Sequence, residues 1–242
     1  MVPVPGKEKV GNWRSLGGTA ASALLLAQYK AKVYSMIFLN TEHPDSFIPS
    51  PLPAVDTGFA PSDEACFELW EEYRMLEHIK QHSLLVAHVA GTIAGLAKNK
   101  GWEVDVQLVR ASALLHDLGK TYTVRHGGNH CQIGASWAMA LTRNPAIAQG
   151  VIHHIYWPGE VDVQRHTLPL AIIYADKRIK HDAVVSLEER FHDLLDRYAV
   201  SFERMQLMYR SYTQVQEIER QFSQRLEVDL NAYPFDRRWV VQ

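Results

Sequence analysis

His116 and Asp117 stand side by side in the segment ALLHDLGKTY (113–122), where an apolar run ends and Lys120 follows three residues later. Ionisable side chains beside a hydrophobic segment are costly to bury unless each has a partner. A metal ion is a suitable partner, because imidazole nitrogens and carboxylate oxygens are common metal ligands in proteins. This segment therefore indicates a metal site.

Further candidate ligands lie on or beside other apolar segments of the chain, where an unpaired ionisable group is equally costly. Imidazole and carboxylate ligands together suit Fe, Mn, Co, Ni or Zn, and they also admit Mg. Without thiolates among the ligands, a structural zinc knot is disfavoured. In chain order the candidate ligands are His82, His116, Asp117, His130, His153, His154 and Asp176.

The elements that position these residues have the sequence pattern of helices. Residues 40–61 hold five of the 11 prolines and predict an extended connector, because proline removes backbone donors and disfavours helix at the preceding residue. Ser62 is the predicted N-cap of the next helix, and Gly101 is a stop signal. No strand-like alternation appears, so the predicted fold class is all-α. The helices are predicted over 62–98, with a break near 76–80, and over 103–117, 132–143, 145–156 and 167–181.

The C-terminal part of the chain begins with the capping box SLEE, formed by Ser186 and Glu189. A long amphipathic stretch follows to about residue 228. Its Met, Tyr, Phe and Leu residues at helical spacing predict docking on the main domain or homodimerisation. The predicted organisation is an N-terminal extension with its connector (1–61), a helical metal-binding domain (62–185) and a C-terminal helical extension (186–242).

The composition of the 242 residues, 47% hydrophobic and 21% charged, is typical of a soluble globular protein with a core. A net charge of −2 gives no overall attraction to nucleic acid or an anionic membrane, so neither is an expected partner. Cys66 and Cys131 are too few for a disulfide framework, and a reducing cytoplasm is the expected location. Residues 16–27 are expected to form an N-terminal helix on the main domain, with a secretory signal peptide as the alternative.

The order H…HD…D, formed by His82, His116–Asp117 and Asp176, resembles the HD-domain superfamily of metal-dependent phosphohydrolases. The resemblance covers about residues 70–185. HDLGK is close to the superfamily's HDxGK-like string, and YADKRIKHD looks like the helix that follows the last ligand in bacterial members of the HDIG type. The resemblance implies an HD-domain helical bundle in which these four residues hold one metal ion.

A second ion is implied by the histidines between the HD pair and the final aspartate. Some members of the superfamily carry extra histidines in this interval and bind two metals, with the HD aspartate bridging them. His130 and the pair His153–His154 occupy the interval here. Adjacent helix residues point about 100° apart, so one of the pair is expected to face the metal, and His154 is preferred. For His130 an exposed loop position is the alternative, because HGGN precedes it.

Several cations lie near the proposed ligands. Lys120 follows the HD pair closely enough to stabilise charge on a transferring phosphoryl group, so Asp117 and Lys120 are the predicted catalytic residues. Arg125 and Lys177 are predicted to bind substrate. The alternative for Lys177 and its neighbour Arg178 is a solvated helix end that balances the helix dipole.

The resemblance implies hydrolysis of a phosphate ester or anhydride by metal-activated water. The expected substrate is a small phosphorylated molecule such as a nucleotide, and the expected cofactor is one or two divalent transition metal ions. Two alternatives stay open. One is a regulatory protein that uses the HD fold to bind a nucleotide, and the other is a di-iron oxygenase, which would require a redox-active metal.

Overall fold

The computed structural model describes residues 59–198 and 201–235. The predicted helix at 16–27 and all but the last three residues of the proline-rich connector lie outside these ranges. Within them the chain forms nine α-helices and one short antiparallel hairpin, so the all-α prediction is confirmed. The elements are α1 Asp63–Glu72, α2 Glu77–Asn99, α3 Val106–Leu115, α4 Lys120–His126, α5 His130–Thr142, α6 Pro145–His153, α7 Thr167–Arg178, β1 Ile179–Lys180, β2 Ala183–Val184, α8 Leu187–Tyr198 and α9 Phe202–Leu226.

The first two helices begin and end at signals that the sequence contains. The Ser62 hydroxyl accepts a hydrogen bond from the Ala65 backbone N–H at 3.3 Å and caps α1. The chain breaks between α1 and α2, where Arg74 adopts a φ of 50°. Helix α2 stops before Gly101, whose φ of 81° is readily available to glycine.

Two boundaries differ from the prediction. The helix expected over 167–181 ends at Arg178, because His181 takes a φ of 56° and turns the chain into the β1–β2 hairpin. The long stretch after Ser186 is divided into α8 and α9, with Ser201 capping α9 by accepting from the Arg204 N–H. Ser186 caps the Glu189 N–H at 3.1 Å, but the Glu189 carboxylate binds Lys180 rather than completing the predicted box.

The core lies where α2, α3, α6 and α7 pack together, and the largest fully buried side chains include Trp157, Tyr174 and Phe222. Helix α9 packs against α7 and against the segment that follows α6. The Gln214 side chain both accepts from the Trp157 N–H (2.9 Å) and donates to the Trp157 carbonyl (2.7 Å). Among the described residues, no helix has the length and apolar character needed to cross a membrane.

Candidate metal centre

Asp117 is the centre of a buried cluster at the end of α3, and its side chain is 1% exposed. Its Oδ2 lies 3.4 Å from His116 Nε2. Its Oδ1 lies 3.6 Å from His130 Nε2 and 3.6 Å from His154 Nε2. The two oxygens of this carboxylate therefore face different imidazole nitrogens, which belong to two sets of candidate ligands.

The first set contains His82 from α2, His116 and Asp176 from α7, whose donor atoms all lie within 4.8 Å of one another. His82 Nε2 is 2.9 Å from Asp176 Oδ1, and the His82 and His116 rings are 5.3 Å apart between centroids. His82 and Asp176 are 94 positions apart in the sequence. The packing of α2 and α3 against α7 brings them together with His116.

The second set contains His130 and His154, whose Nε2 atoms are 3.3 Å apart. His130 is the first residue of α5, and its side chain is 24% exposed. Asn129 fixes this helix start, because its side-chain oxygen accepts from the Cys131 N–H at 2.9 Å. The alternative that placed His130 in an exposed loop is therefore wrong.

The structure separates the two adjacent histidines at the end of α6. His154 is buried within the cluster, whereas the His153 ring packs 5.3 Å from the Trp157 ring. Of the two predicted ligands, His154 joins the cluster and His153 does not, and the physical reason is the divergence of adjacent side chains on a helix.

The orientation of the rings suits metal binding. His116 Nδ1 lies 2.7 Å from the Ala113 carbonyl oxygen, and His154 Nδ1 lies 2.6 Å from the Val151 carbonyl oxygen. Because a carbonyl only accepts, each Nδ1 donates and each neutral ring presents its lone pair at Nε2. His116 Nε2 and Asp117 Oδ1 are buried, and neither has a hydrogen-bond partner among the described residues. A cation would satisfy both atoms, so these residues fit a metal ion.

The protonation of the cluster follows from burial and from its neighbours. Burial lowers the pKa of His154 to about 3, which leaves this imidazole neutral and able to bind a metal. Burial would raise the pKa of Asp117, but His116 and Lys120 outweigh it and hold that pKa well below its usual range. Burial alone would lower the pKa of His116, but the adjacent Asp117 outweighs this effect and raises that pKa, so a proton competes with a metal for His116 Nε2.

The predicted cations occupy three different environments. Lys120 Nζ lies 2.6 Å from Asp117 Oδ2, and the Lys120 side chain is 41% exposed. Lys120 therefore contacts both the buried cluster and solvent. Lys177 is buried and forms an ion pair with Asp176, and Arg178 is also buried, so the solvated helix end proposed for both is wrong. Arg125 is exposed on α4, five residues after Lys120 and on another face of that helix, so it does not join the cluster.

Cys131 belongs to the cluster although the sequence analysis did not propose it as a ligand. Its Sγ lies 3.7 Å from His130 Nε2 and 4.0 Å from His154 Nε2. Burial raises the pKa of this thiol to about 11. The only signal in the sequence was its position next to His130.

Gly119 allows the turn after the HD pair to approach α5. A Cβ atom at this position would lie 2.7 Å from the His130 carbonyl oxygen and 2.8 Å from the Gly134 backbone nitrogen. Both atoms belong to the backbone, so they cannot move aside without shifting α5. The close approach explains why a glycine stands between Asp117 and Lys120, and it keeps His130 within reach of Asp117.

We expect Gly119→Ala to destabilise the metal-free protein by about 1–3 kcal/mol, because an added methyl group overpacks this contact. The shift of α5 is also expected to weaken metal binding at His130. Urea denaturation and a metal titration measure the two effects. Gly95→Ala is the matched control, since its Cβ would meet nothing within 4 Å. That substitution lies inside α2 and is expected to stabilise the protein by up to about 1 kcal/mol. Equal behaviour of the two variants would contradict the assigned role of Gly119.

A family model described as HD domain matches residues 79–201, about half of the chain. The chain therefore belongs to the HD domain family, and the resemblance seen in the H…HD…D order is confirmed. This family is part of a superfamily of metal-dependent phosphohydrolases. No solved structure matches the chain.

The chain is similar to several proteins. It is 31% identical over 132 residues to an uncharacterized protein of Methanocaldococcus jannaschii, and the aligned segment covers 47% of this chain and 77% of that protein. It is 27% identical over 139 residues to ribonuclease Y of Syntrophomonas wolfei, covering 57% of this chain and 24% of that protein. It is 37% identical over 73 residues to ribonuclease Y of Wolinella succinogenes, covering 30% of this chain and 13% of that protein. The chain thus spans about a quarter or less of these two ribonucleases.

Proposed function

We propose that the protein is a metal-dependent phosphohydrolase that cleaves a phosphate ester or anhydride of a small phosphorylated molecule such as a nucleotide. Membership of the HD domain family supports the hydrolase class. The observation that carries the proposal is the position of Asp117 between two sets of candidate ligands. Two buried donor atoms there, His116 Nε2 and Asp117 Oδ1, have no hydrogen-bond partner in the part of the chain that the structure describes.

One metal ion would be held by His82, His116, Asp176 and Asp117 Oδ2, and a second by Asp117 Oδ1, His130 and His154. When bound, divalent ions in such a site acidify a water molecule and neutralise phosphoryl oxygens. The chain supplies the orientation of the ligands. The Ala113 and Val151 carbonyls hold two of the rings through their Nδ1 atoms. Lys177 holds the Asp176 carboxylate, so we assign it a positioning role rather than the predicted contact with substrate.

Lys120 is the residue we propose to contact the substrate. Its ammonium group is paired with Asp117, yet the side chain is partly exposed, so it can reach a phosphoryl oxygen without being fully desolvated first. A fixed positive charge next to the reacting group stabilises negative charge that develops in the transition state. Arg125 is exposed outside the cluster, and we do not include it in the proposed substrate contacts.

An RNA phosphodiester is the second candidate substrate, because two of the relatives are ribonuclease Y proteins. The net charge of −2 favours the small molecule, since proteins that bind extended nucleic acids usually present a basic surface to the phosphates. The two candidates predict different preferences: at equal concentration, either the small phosphorylated molecule or the RNA should be cleaved faster.

The test is an assay of the metal-free protein reconstituted with Mn, Fe, Co or Zn. The panel contains nucleoside mono-, di- and triphosphates, an aryl phosphate and a short single-stranded RNA. We expect release of phosphate or pyrophosphate from a small substrate, and loss of this activity after removal of the metal with a chelator. Preferential cleavage of the RNA would favour the second candidate. Bound metal without any turnover would redirect attention to nucleotide sensing or to oxygenase chemistry.

A further inference from the structure

The Cys131 thiol lies beside the second set of candidate ligands, next to polar imidazole nitrogens rather than among apolar side chains. Its Sγ is buried and lies within 4.0 Å of the Nε2 atoms of both His130 and His154. The side chains of these three residues form a group whose donor atoms all lie within 4.8 Å of one another. A thiol that only fills space would instead be expected among apolar side chains.

The distances within this group can be compared with those of a tetrahedral ion. Donors at about 2.1 Å from a tetrahedral ion lie about 3.4 Å apart, and a sulfur at about 2.3 Å lies about 3.6 Å from a nitrogen. The Nε2 atoms of His130 and His154 are 3.3 Å apart, and each lies 3.6 Å from Asp117 Oδ1. Cys131 Sγ lies 3.7 and 4.0 Å from the same two nitrogens. These five distances lie close to the expected values, so they are compatible with two nitrogens, one oxygen and one sulfur around a single ion.

An independent observation also indicates a ligand at this position. Asp117 Oδ1 belongs to a side chain that is 1% exposed, it faces both imidazoles, and it has no hydrogen-bond partner among the described residues. A buried carboxylate oxygen left without a partner is costly. An ion between Oδ1, the two nitrogens and the sulfur would remove that cost.

We propose that Cys131 is a thiolate ligand of the second metal ion, together with Asp117, His130 and His154. This inference rests on the proposed function, because it adds a ligand to the second ion of the same site. On coordination the thiol releases its proton to solvent and the sulfur donates an electron pair to the metal. A thiolate makes this position favour Zn or Co over Mg and Mn, which prefer oxygen ligands. The two metal positions would then differ in the ions they select.

The experiment is a titration of the metal-free protein with Co(II) to two equivalents, followed by absorption spectroscopy. Histidine and carboxylate ligands give visible ligand-field bands, whereas a thiolate adds a near-ultraviolet charge-transfer band. We expect that band in the natural protein and in Cys66→Ser, which removes the other buried thiol. We expect it to be absent in Cys131→Ser, with the ligand-field bands retained. In the same variant, Zn affinity should fall by about 10–100-fold, with little change in Mn affinity.

Ligand-field bands without a charge-transfer band in the natural protein would overturn the assignment of Cys131 and leave the metal centre intact. A charge-transfer band that persists in Cys131→Ser would also overturn it. Failure to bind Co(II) at all would overturn both this inference and the proposed metal centre. The spectrum of the natural protein decides the question even if Cys131→Ser does not fold, and Cys131→Ala provides a second variant without a hydroxyl group.

Discussion

Replacing Asp117 by asparagine is expected to lower kcat by roughly 10³-fold or more, since loss of a single donor that stabilises a transition state already costs about 10²–10³. The expected cause is loss of metal from both positions. Each Asp117 oxygen faces a different set of ligands, and an amide has only one oxygen and carries no charge. The size and shape of the side chain are preserved, so the fold is expected to persist. Metal content and phosphatase activity should be measured on the same samples.

His153→Asn is the matched control for this prediction. It changes a histidine next to a proposed ligand, but the His153 ring packs on Trp157 outside the cluster. We expect metal content and activity close to those of the natural protein. Full metal content in Asp117→Asn would contradict the central position that we assign to this carboxylate. Loss of metal in His153→Asn would show that the wrong histidine of the pair was placed in the site.

The proposed ligands could be identified from the sequence because each one lies on or beside an apolar helical segment. His82, His116–Asp117 and Asp176 combine an uncommon residue order with hydrophobic neighbours, and the structure brings them together. The metal-binding roles themselves stay predictions. The choice between His153 and His154 was not decided by periodicity alone, since it depends on where α6 ends and how it packs against the neighbouring helices.

Other features of the site depend on contacts between distant parts of the chain. Lys177 and Arg178 have the sequence pattern of an ordinary basic helix end, but residues around 185, 219 and 230 cover the end of α7 and bury Arg178. His130 lies near Asp117 because Gly119 lets α5 pack closely against the turn that follows Asp117. Neither effect has a local pattern in the sequence, so neither could be predicted without the fold.

Three of the proposed ligands lie near helix ends, next to a residue that reaches the surface. His116 follows α3, His154 follows α6, and Asp176 lies in the last turn of α7, so their side chains converge where the helices stop. The helices bury the ligands in the core, while the turn that begins α4 carries Lys120 to the surface. This arrangement gives a buried set of donors with one partly exposed cation beside it, which suits the proposed phosphoryl transfer.

The end of α7 must itself be held in place, and Arg178 provides the main contact. Its guanidinium group donates to the Leu230 carbonyl at 2.6 Å, to the Asn231 carbonyl at 3.2 Å and to the Tyr174 hydroxyl. It also lies 3.6 Å from Glu219 Oε2. This buried group thus joins α7, two residues beyond Asp176, to α9 and the segment that follows it.

We expect Arg178→Met to destabilise the metal-free protein by about 3–5 kcal/mol, because several acceptors around the buried guanidinium group would lose their donor, and each unsatisfied group costs about 1–3 kcal/mol. The Glu219 carboxylate would lose its neighbouring positive charge, and the Leu230 and Asn231 carbonyls would lose their donor. Urea denaturation followed by circular dichroism measures the change in the free energy of unfolding.

Arg220→Met is the matched control, since it removes an arginine from α9 that pairs with Glu217 at the surface. Exposed ion pairs are screened by water, so we expect little change in the denaturation midpoint. Similar midpoints for the two variants would show that the Arg178 contacts do not hold α7 and α9 together. A large loss confined to Arg178→Met would support the role of these contacts in joining the end of α7, which carries the proposed ligand Asp176, to α9.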